Sequence, residues 1–557
     1  MKKVLLSIFT CLLFVLKSFS QTIPVGDYAE TLARMYQILG TGNQLSSFTQ
    51  RPLDQNFVLK TDSALQGLVA GKNLAPKFNL FGIPSCIKIL PFTWLNEYNT
   101  KLPYGYNDGP LFPNVGYQTL LTGGVFVKAG VFNIQIKPEL VYAENKPFPT
   151  FGTVYANKQS SVIGAYWYFF NALDAPERFG ANSDHYTGAG QSKITLSLFN
   201  LEAGVSTENI WWGPGVQNSL MMSNSAPGFL HWTFNTVAPV KTIVGSFEWQ
   251  IIGGKLKQSG EEQYEASTLP NNSTDYIPKP KVDRYISGFT FNWHPKWIEG
   301  LFLGASGYEF SDIDATFDNK SFIKRLLPVF FPISSKTNTI RDNNKEDGDK
   351  SCYAVNMRQL FSKDKADVYI EYARNDNFAS TTDLVLEPEH ASAYTIGTDK
   401  FFQLKESGFI KVNIELTHLQ LPDTFLLRQD NSFYVHEELN PLDGYTNEGR
   451  FVGAGIGPGS NDFMVDISYI KNVNSFGIKF ERFLHNNDLY YAAFSGTTGN
   501  ADLNWVDCSG TFYAKIKLKK CLISAEYVPV YTYNYEYLRN YNITNMHARV
   551  SLQYFFN

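Results

Sequence analysis

The sequence predicts an all-β chain: a transmembrane antiparallel β-barrel that follows an export signal and a short helical segment. Three observations predict it: an amphipathic final strand, an apolar leader, and a residue period of two through most of the chain. At the C-terminus Ala548, Val550, Leu552, Tyr554 and Phe556 share one face of an extended segment. His547, Arg549, Ser551 and Gln553 share the other. A strand of about ten residues, greasy on one face and closing on aromatics, suits a wall between lipid and a wet lumen.

The leader comes first in the chain. Lys2 and Lys3 precede an almost wholly apolar run from Val4 to Leu16, and Ser18 and Ser20 supply small residues where a signal peptidase reads. Cleavage is expected before Gln21, which makes residues 1–20 a signal peptide. The run is too short to span a bilayer comfortably. Cys11 lies inside it without the small residues of a lipoprotein site.

Residues 21–77 read as a helical segment. Asp27 and Glu30 have capping-box spacing, and Tyr28, Leu32, Met35, Tyr36 and Leu39 follow at helical spacing until Gly40 and Gly42. A second helix is expected between Ser46 and Leu68, with Pro52 near its start. Such a segment is too small for a secure core of its own and should pack on something larger.

From about Phe78 to the end the period is two. Phe132, Ile134 and Ile136 alternate with Asn133, Gln135 and Lys137, and Ile194, Leu196 and Leu198 with Lys193, Thr195 and Ser197. The same alternation recurs at Ile410–Thr417, Val465–Tyr469 and Ala514–Lys519. Charges on the alternate face suit a hydrated lumen, although a soluble β-sandwich with a charged outer face shares the pattern. Two polar stretches, Lys255 to Asp283 and Ser334 to Lys350, are candidate outer loops. The remaining length allows roughly sixteen to twenty strands.

Composition agrees. Aromatic residues make up 15% of the chain, and no apolar run after the leader is long enough for a membrane helix. A net charge of −4 offers nothing to nucleic acid. Cys86, Cys352, Cys508 and Cys521 show no metal-knuckle or redox spacing, so neither metal nor cofactor is expected. Spacing leaves open whether Cys508 and Cys521 pair.

The densest motif is central: Gly204-Val-Ser-Thr-Glu-Asn-Ile-Trp-Trp-Gly-Pro-Gly215, then Asn218 to Asn224 and Pro227-Gly-Phe-Leu-His231. Here the chain resembles the Wzi capsule-assembly family of outer-membrane proteins. Leu102 to Gly109, Asp174 to Phe179, Tyr369-Ile-Glu-Tyr372, Gly444 to Asn447, Gly455 to Asn461 and Glu481-Arg482 continue the resemblance in order, as does Ser46 to Leu53 ahead of the barrel. It implies a barrel of about eighteen strands with a periplasmic helical domain. It also implies a lectin-like role, retaining capsular or related surface polysaccharide at the cell surface of a Gram-negative outer membrane. Such a protein is expected to act as a monomer, surrounded by outer-membrane lipid and inserted by the barrel-assembly machinery. One departure is visible, because Asn557 follows the final aromatic.

The residues themselves offer a candidate site. Trp211 and Trp212 beside Gly213-Pro214-Gly215 put two rigid faces on a tight turn, where sugars can stack, while Glu208, Asn209 and Asn224 have groups for hydroxyls. The same tryptophans also suit interface or plug packing. Asp108, Glu139, Arg178, Glu371 and Arg482 are further candidates, although paired lumen charges more often tie strands and plug together. Two rival classes remain. Hydrolysis would need a Ser, His and acid together, yet no histidine sits in a nucleophile signature. Glu437 and Glu438 are strand neighbours that point to opposite faces. A diffusion channel would need an open lumen.

Overall fold

The computed structural model describes residues 21–55, 68, 72–80, 83–155, 160–261, 276–277, 279, 282–313, 326–330, 350–375, 386, 388–405, 408–422, 432–436, 443–494 and 503–556. The leader, most of both polar stretches and the Glu437-Glu438 pair lie outside the described residues. Among the described residues, no helix is long and apolar enough to cross a membrane.

Eighteen antiparallel strands close a barrel. They are β1 (Ile83–Asn99), β2 (Gly116–Ala129), β3 (Phe132–Ile136 with Glu139–Ala143), β4 (Asp184–Gly188 with Lys193–Leu198), β5 (Leu201–Ser206) and β6 (His231–Thr236 with Val240–Thr242). There follow β7 (Gly245–Leu256), β8 (Arg284–Pro295), β9 (Leu301–Asp312), β10 (Lys350–Phe361), β11 (Ala366–Arg374) and β12 (Ser392–Gln403). The circuit ends with β13 (Gly408–His418), β14 (Asn461–Lys471), β15 (Asn474–Leu484), β16 (Val506–Leu518), β17 (Cys521–Tyr533) and β18 (Ile543–Tyr554). β18 closes on β1 from His547↔Asn99 to Tyr554↔Phe92. Sheet pairing starts ahead of Phe78, because Lys72–Leu80 pairs with the lower half of β1, in line with β18.

The pleat explains the alternation. Phe132, Ile136, Ile194 and Leu196 are exposed on the outer face, at 52%, 52%, 63% and 48%, while Asn133, Gln135, Lys193 and Thr195 are buried within. A soluble sandwich would bury the first set. The inversion is the signature of a wall with lipid outside.

One barrel end carries short hairpins, such as those joining β14 to β15 and β16 to β17. The other carries long connections, and the lumen between is filled. At the short-hairpin end sits α1 (Tyr28–Ile38), capped by Asp27 Oδ1, which accepts the Ala29 N–H at 2.9 Å. Leu32, Met35 and Ile38 pack against Phe302, Leu360, Phe401, Leu522 and Phe555 of the wall. Arg34 reaches Asp367 at 3.2 Å and Asp399 at 3.4 Å. Residues 21–55 therefore form a plug inside the barrel and not a separate body. The second helix expected from Ser46 does not begin there. Gln50–Arg51 and Leu53–Asp54 are extended, because the backbone of the first pairs with Trp211–Trp212 and overrides local propensity. The stretch 56–67 lies outside the described residues.

From the other end, residues 207–230, 432–436 and 443–460 fold inward. Trp212, Leu220, Met221 and Met222 meet Tyr434, Tyr445 and Val452 in a dry core against Tyr308 and Cys352. A rim cluster, with Phe151, Tyr166 and Trp167 against Leu489, Tyr490 and Tyr537, stands above. Cys508 and Cys521 sit at opposite ends of one hairpin, opposite Tyr531 and Leu518 respectively. Some ten residues at about 3.3 Å each separate them, far beyond disulfide reach.

Candidate functional site

The central motif is a lock. Glu415 on β13 accepts the N–H groups of Val216 at 2.7 Å and Asn218 at 2.7 Å, and the Tyr369 hydroxyl at 2.7 Å. Arg51 donates to the Gly215 carbonyl at 2.7 Å and Arg34 to the Pro214 carbonyl at 2.7 Å. Gly213 has a φ of +157°, and a Cβ there would stand 2.6 Å from Glu371 Oε2, so a larger residue would be strained. The turn thus joins plug to wall.

Its side chains serve that joint. Trp212 is fully buried and donates Nε1–H to Gln250 at 2.9 Å. Trp211 is buried beneath the Arg51 guanidinium, 4.6 Å from its ring. Glu208 accepts from Thr22 and from Gln135 Nε2 at 3.0 Å, and burial raises its pKa. Asn209 donates to the Ala226 carbonyl at 2.7 Å and accepts from Gln191 at 2.7 Å. Arg178 donates to the carbonyls of Asn145 at 2.8 Å and Ala181 at 3.0 Å. Glu139 accepts from Gln191, and Glu371 from the Leu220 N–H. Arg482, expected among lumen charges, is exposed and out of register with them, since its neighbour Glu481 takes the inward face.

Asp108 and Asn224 are placed differently. Both line an inner chamber of about 330 Å³ between α1 and the Tyr104–Asp108 turn. Its walls carry paired charges: Arg549 with Asp108 and Glu97, each at 2.7 Å, and Lys479 with Glu481 at 3.3 Å. Asp108 also lines a second cavity of about 350 Å³ on the far side of that turn, toward the long connections.

This outer well holds the residues that sequence reasoning missed. Phe483, His485 and Trp505 stack as a ladder, with ring centroids 3.9 Å and then 3.8 Å apart. Tyr535 meets Trp505 edge-on at 4.9 Å. Asp507 fixes the ladder: its carboxylate lies 2.9 Å from His485 Nε2 and accepts Trp505 Nε1–H at 3.3 Å and the Thr532 hydroxyl at 2.6 Å. Opposite, Arg450 lies between Phe112 at 4.6 Å and Phe179 at 5.3 Å, and burial lowers its pKa to about 10. Half-buried rings beside fixed carboxylates can stack on a ring's C–H face while accepting its hydroxyls. The one sequence signal was the period-two placement of Phe483 and His485 at a strand end, with Trp505 opening the next.

A comparison with curated protein sequences gives no match. Among solved structures, one similar fold is Wzi of Escherichia coli, described as a carbohydrate-binding β-barrel of the outer membrane involved in group 1 capsule assembly. It has a TM-score of 0.58 and 12% identity, with 97% of this chain and 100% of that chain covered. OccAB2 of Acinetobacter baumannii gives a TM-score of 0.41 and 9% identity over 84% of this chain and 97% of that one. The family model for capsule assembly protein Wzi matches residues 126–506, more than half of the length. The chain therefore belongs to the Wzi capsule-assembly family.

Proposed function

We propose that this chain is an outer-membrane lectin-like protein that binds and retains capsular or related surface polysaccharide, with no covalent chemistry. The observation that carries this reading is the Phe483–His485–Trp505 ladder, held by Asp507 at the long-connection end of a filled barrel. Short hairpins belong on the periplasmic side and long loops outside, so the ladder faces the cell surface. Family membership and the capsule role named for Escherichia coli Wzi support the reading. Residues 1–20 act as the export signal, the barrel-assembly machinery inserts the chain, and it works as a monomer in lipid. The segment 21–77 enters from the periplasmic side, where residues 21–55 plug the lumen. Asp108 contacts sugar directly, with Asn224 behind it. Glu208, Asn209, Trp211, Trp212 and Arg178 position the loops that shape the well. An open diffusion channel is disfavoured, because α1 and residues 207–230 fill the lumen.

The test is Trp505→Ala. Losing one stacking aromatic should weaken polysaccharide binding about tenfold, while the barrel stays folded and heat-modifiable. A deletion strain should make and export its polymer but shed it. Unchanged binding by the variant, or cleavage of the polymer by purified barrel, would overturn the reading. Unchanged retention with reduced small-solute uptake would install the channel instead.

A further inference from the structure

We infer that the outer well recognises the end of a glycan chain and not a stretch within it, an inference that rests on the polysaccharide reading above. The well has a base. The Tyr104–Asp108 turn crosses beneath it and separates it from the inner chamber. That turn is pinned from several sides. Arg549 holds Asp108 at 2.7 Å, Glu481 accepts the Tyr104 hydroxyl at 3.1 Å and the Tyr106 hydroxyl, and Asn107 Nδ2 donates to the Gln217 carbonyl at 2.6 Å. Under it the inner chamber is closed in turn by α1, itself tied to the wall through Arg34 and Asp367.

The sides are lined as well. Described residues of the well's wall come from the connections around 102–113, 148–177, 449–460, 483–489, 505–507 and 535–537. A polymer bound along its length needs a groove with an entry and an exit. Among the described residues the well is walled on several sides above a pinned base, which favours entry from the outer side. Its volume of about 350 Å³ lies at the small end of ligand pockets, and one terminus fits it better than a run of repeats. The terminal ring then stacks on Trp505 while its hydroxyls meet Asp108 at the base. Each polymer chain engages one barrel, whatever its length.

The experiment uses the full mature chain in detergent and the surface polysaccharide of the producing cell, partly depolymerised and separated by size. The number of barrels bound per polymer chain is read by light scattering on saturated complexes. End recognition holds it near one across a tenfold range of chain length. Short oligosaccharides from the same polymer should displace the long chains in proportion to the number of chain ends added. Occupancy that rises with chain length, or competition that tracks sugar mass instead of ends, overturns end recognition while leaving the polysaccharide reading intact. No binding to any fraction overturns both.

Discussion

Arg549, on the closing strand β18, holds Asp108 of the Tyr104–Asp108 turn at 2.7 Å, and the same nitrogen holds Glu97 of β1 at 2.7 Å. One guanidinium therefore joins the barrel's seam to the base of the outer well. Arg549→Met should leave two carboxylates facing each other without a cation. Breaking a buried pair by removing one partner costs roughly 3–5 kcal/mol. A clear fall in the unfolding midpoint in detergent is expected, and an unchanged midpoint would refute the role.

The pH dependence follows from two buried carboxyls outside the wall. Burial raises Asp108 and Asp488 from 3.8 to about 7 each. Asp488 opens the helix Asn487–Phe494 and accepts the Leu421 N–H at 3.1 Å. Each carboxyl binds its proton more tightly folded than unfolded. Each thus contributes stability that is whole below about pH 3.8 and is lost as pH rises through about 7. Proteolysis at the long-connection end should be faster at about pH 8.5 than at about pH 5. Asp488→Asn should flatten that difference, and an equally steep variant would exclude Asp488 as a cause.

The wall was legible in the sequence because the pleat forces it: Phe132 and Asn133 must point apart, and the pattern tells which face is greasy. What fills the lumen was not legible. A polar inner face looks the same whether it meets water or a plug, and partners such as Arg34 and Asp367 stand far apart in the chain. Trp211 and Trp212 illustrate the cost of that ambiguity. Their setting beside a glycine-rich turn suits sugar stacking, yet in the structure the turn folds inward and buries both rings. The ladder escaped notice because Phe483, His485, Trp505 and Tyr535 lie in three separate segments that the pairing of β15, β16 and β17 brings together.

Trp212 therefore makes a stability prediction. Trp212→Ala empties a fully buried site against Ile286, Leu220 and Met222 and removes the partner of Gln250. A loss of about 3–5 kcal/mol is expected. It should appear as rapid cleavage within 207–230 and a lower unfolding midpoint. A variant with wild-type protection and selectively weaker sugar binding would restore Trp212 as a contact.

The last two aromatics divide the work at the barrel's end. Phe555 is buried at 1% exposure and packs with Leu32, Ile38 and the rest of the plug, whereas Phe556 lies against Tyr554, ring to ring at 5.0 Å. Adjacent extended residues face opposite ways, so the two substitutions should fail differently. Phe556→Lys puts a cation on the lipid side, costing from about 0–1 kcal/mol near the interface to about 2–4 at the midplane. It should lower the amount of assembled protein without altering what does assemble. Phe555→Ala should assemble normally, because the outer face is untouched. Its plug should loosen, since a buried Phe→Ala change costs about 3–5 kcal/mol, and trypsin should then cleave after Arg34 in intact barrels. If instead Phe555→Ala blocks assembly while Phe556→Lys exposes the plug, the register assigned to the end of β18 is inverted.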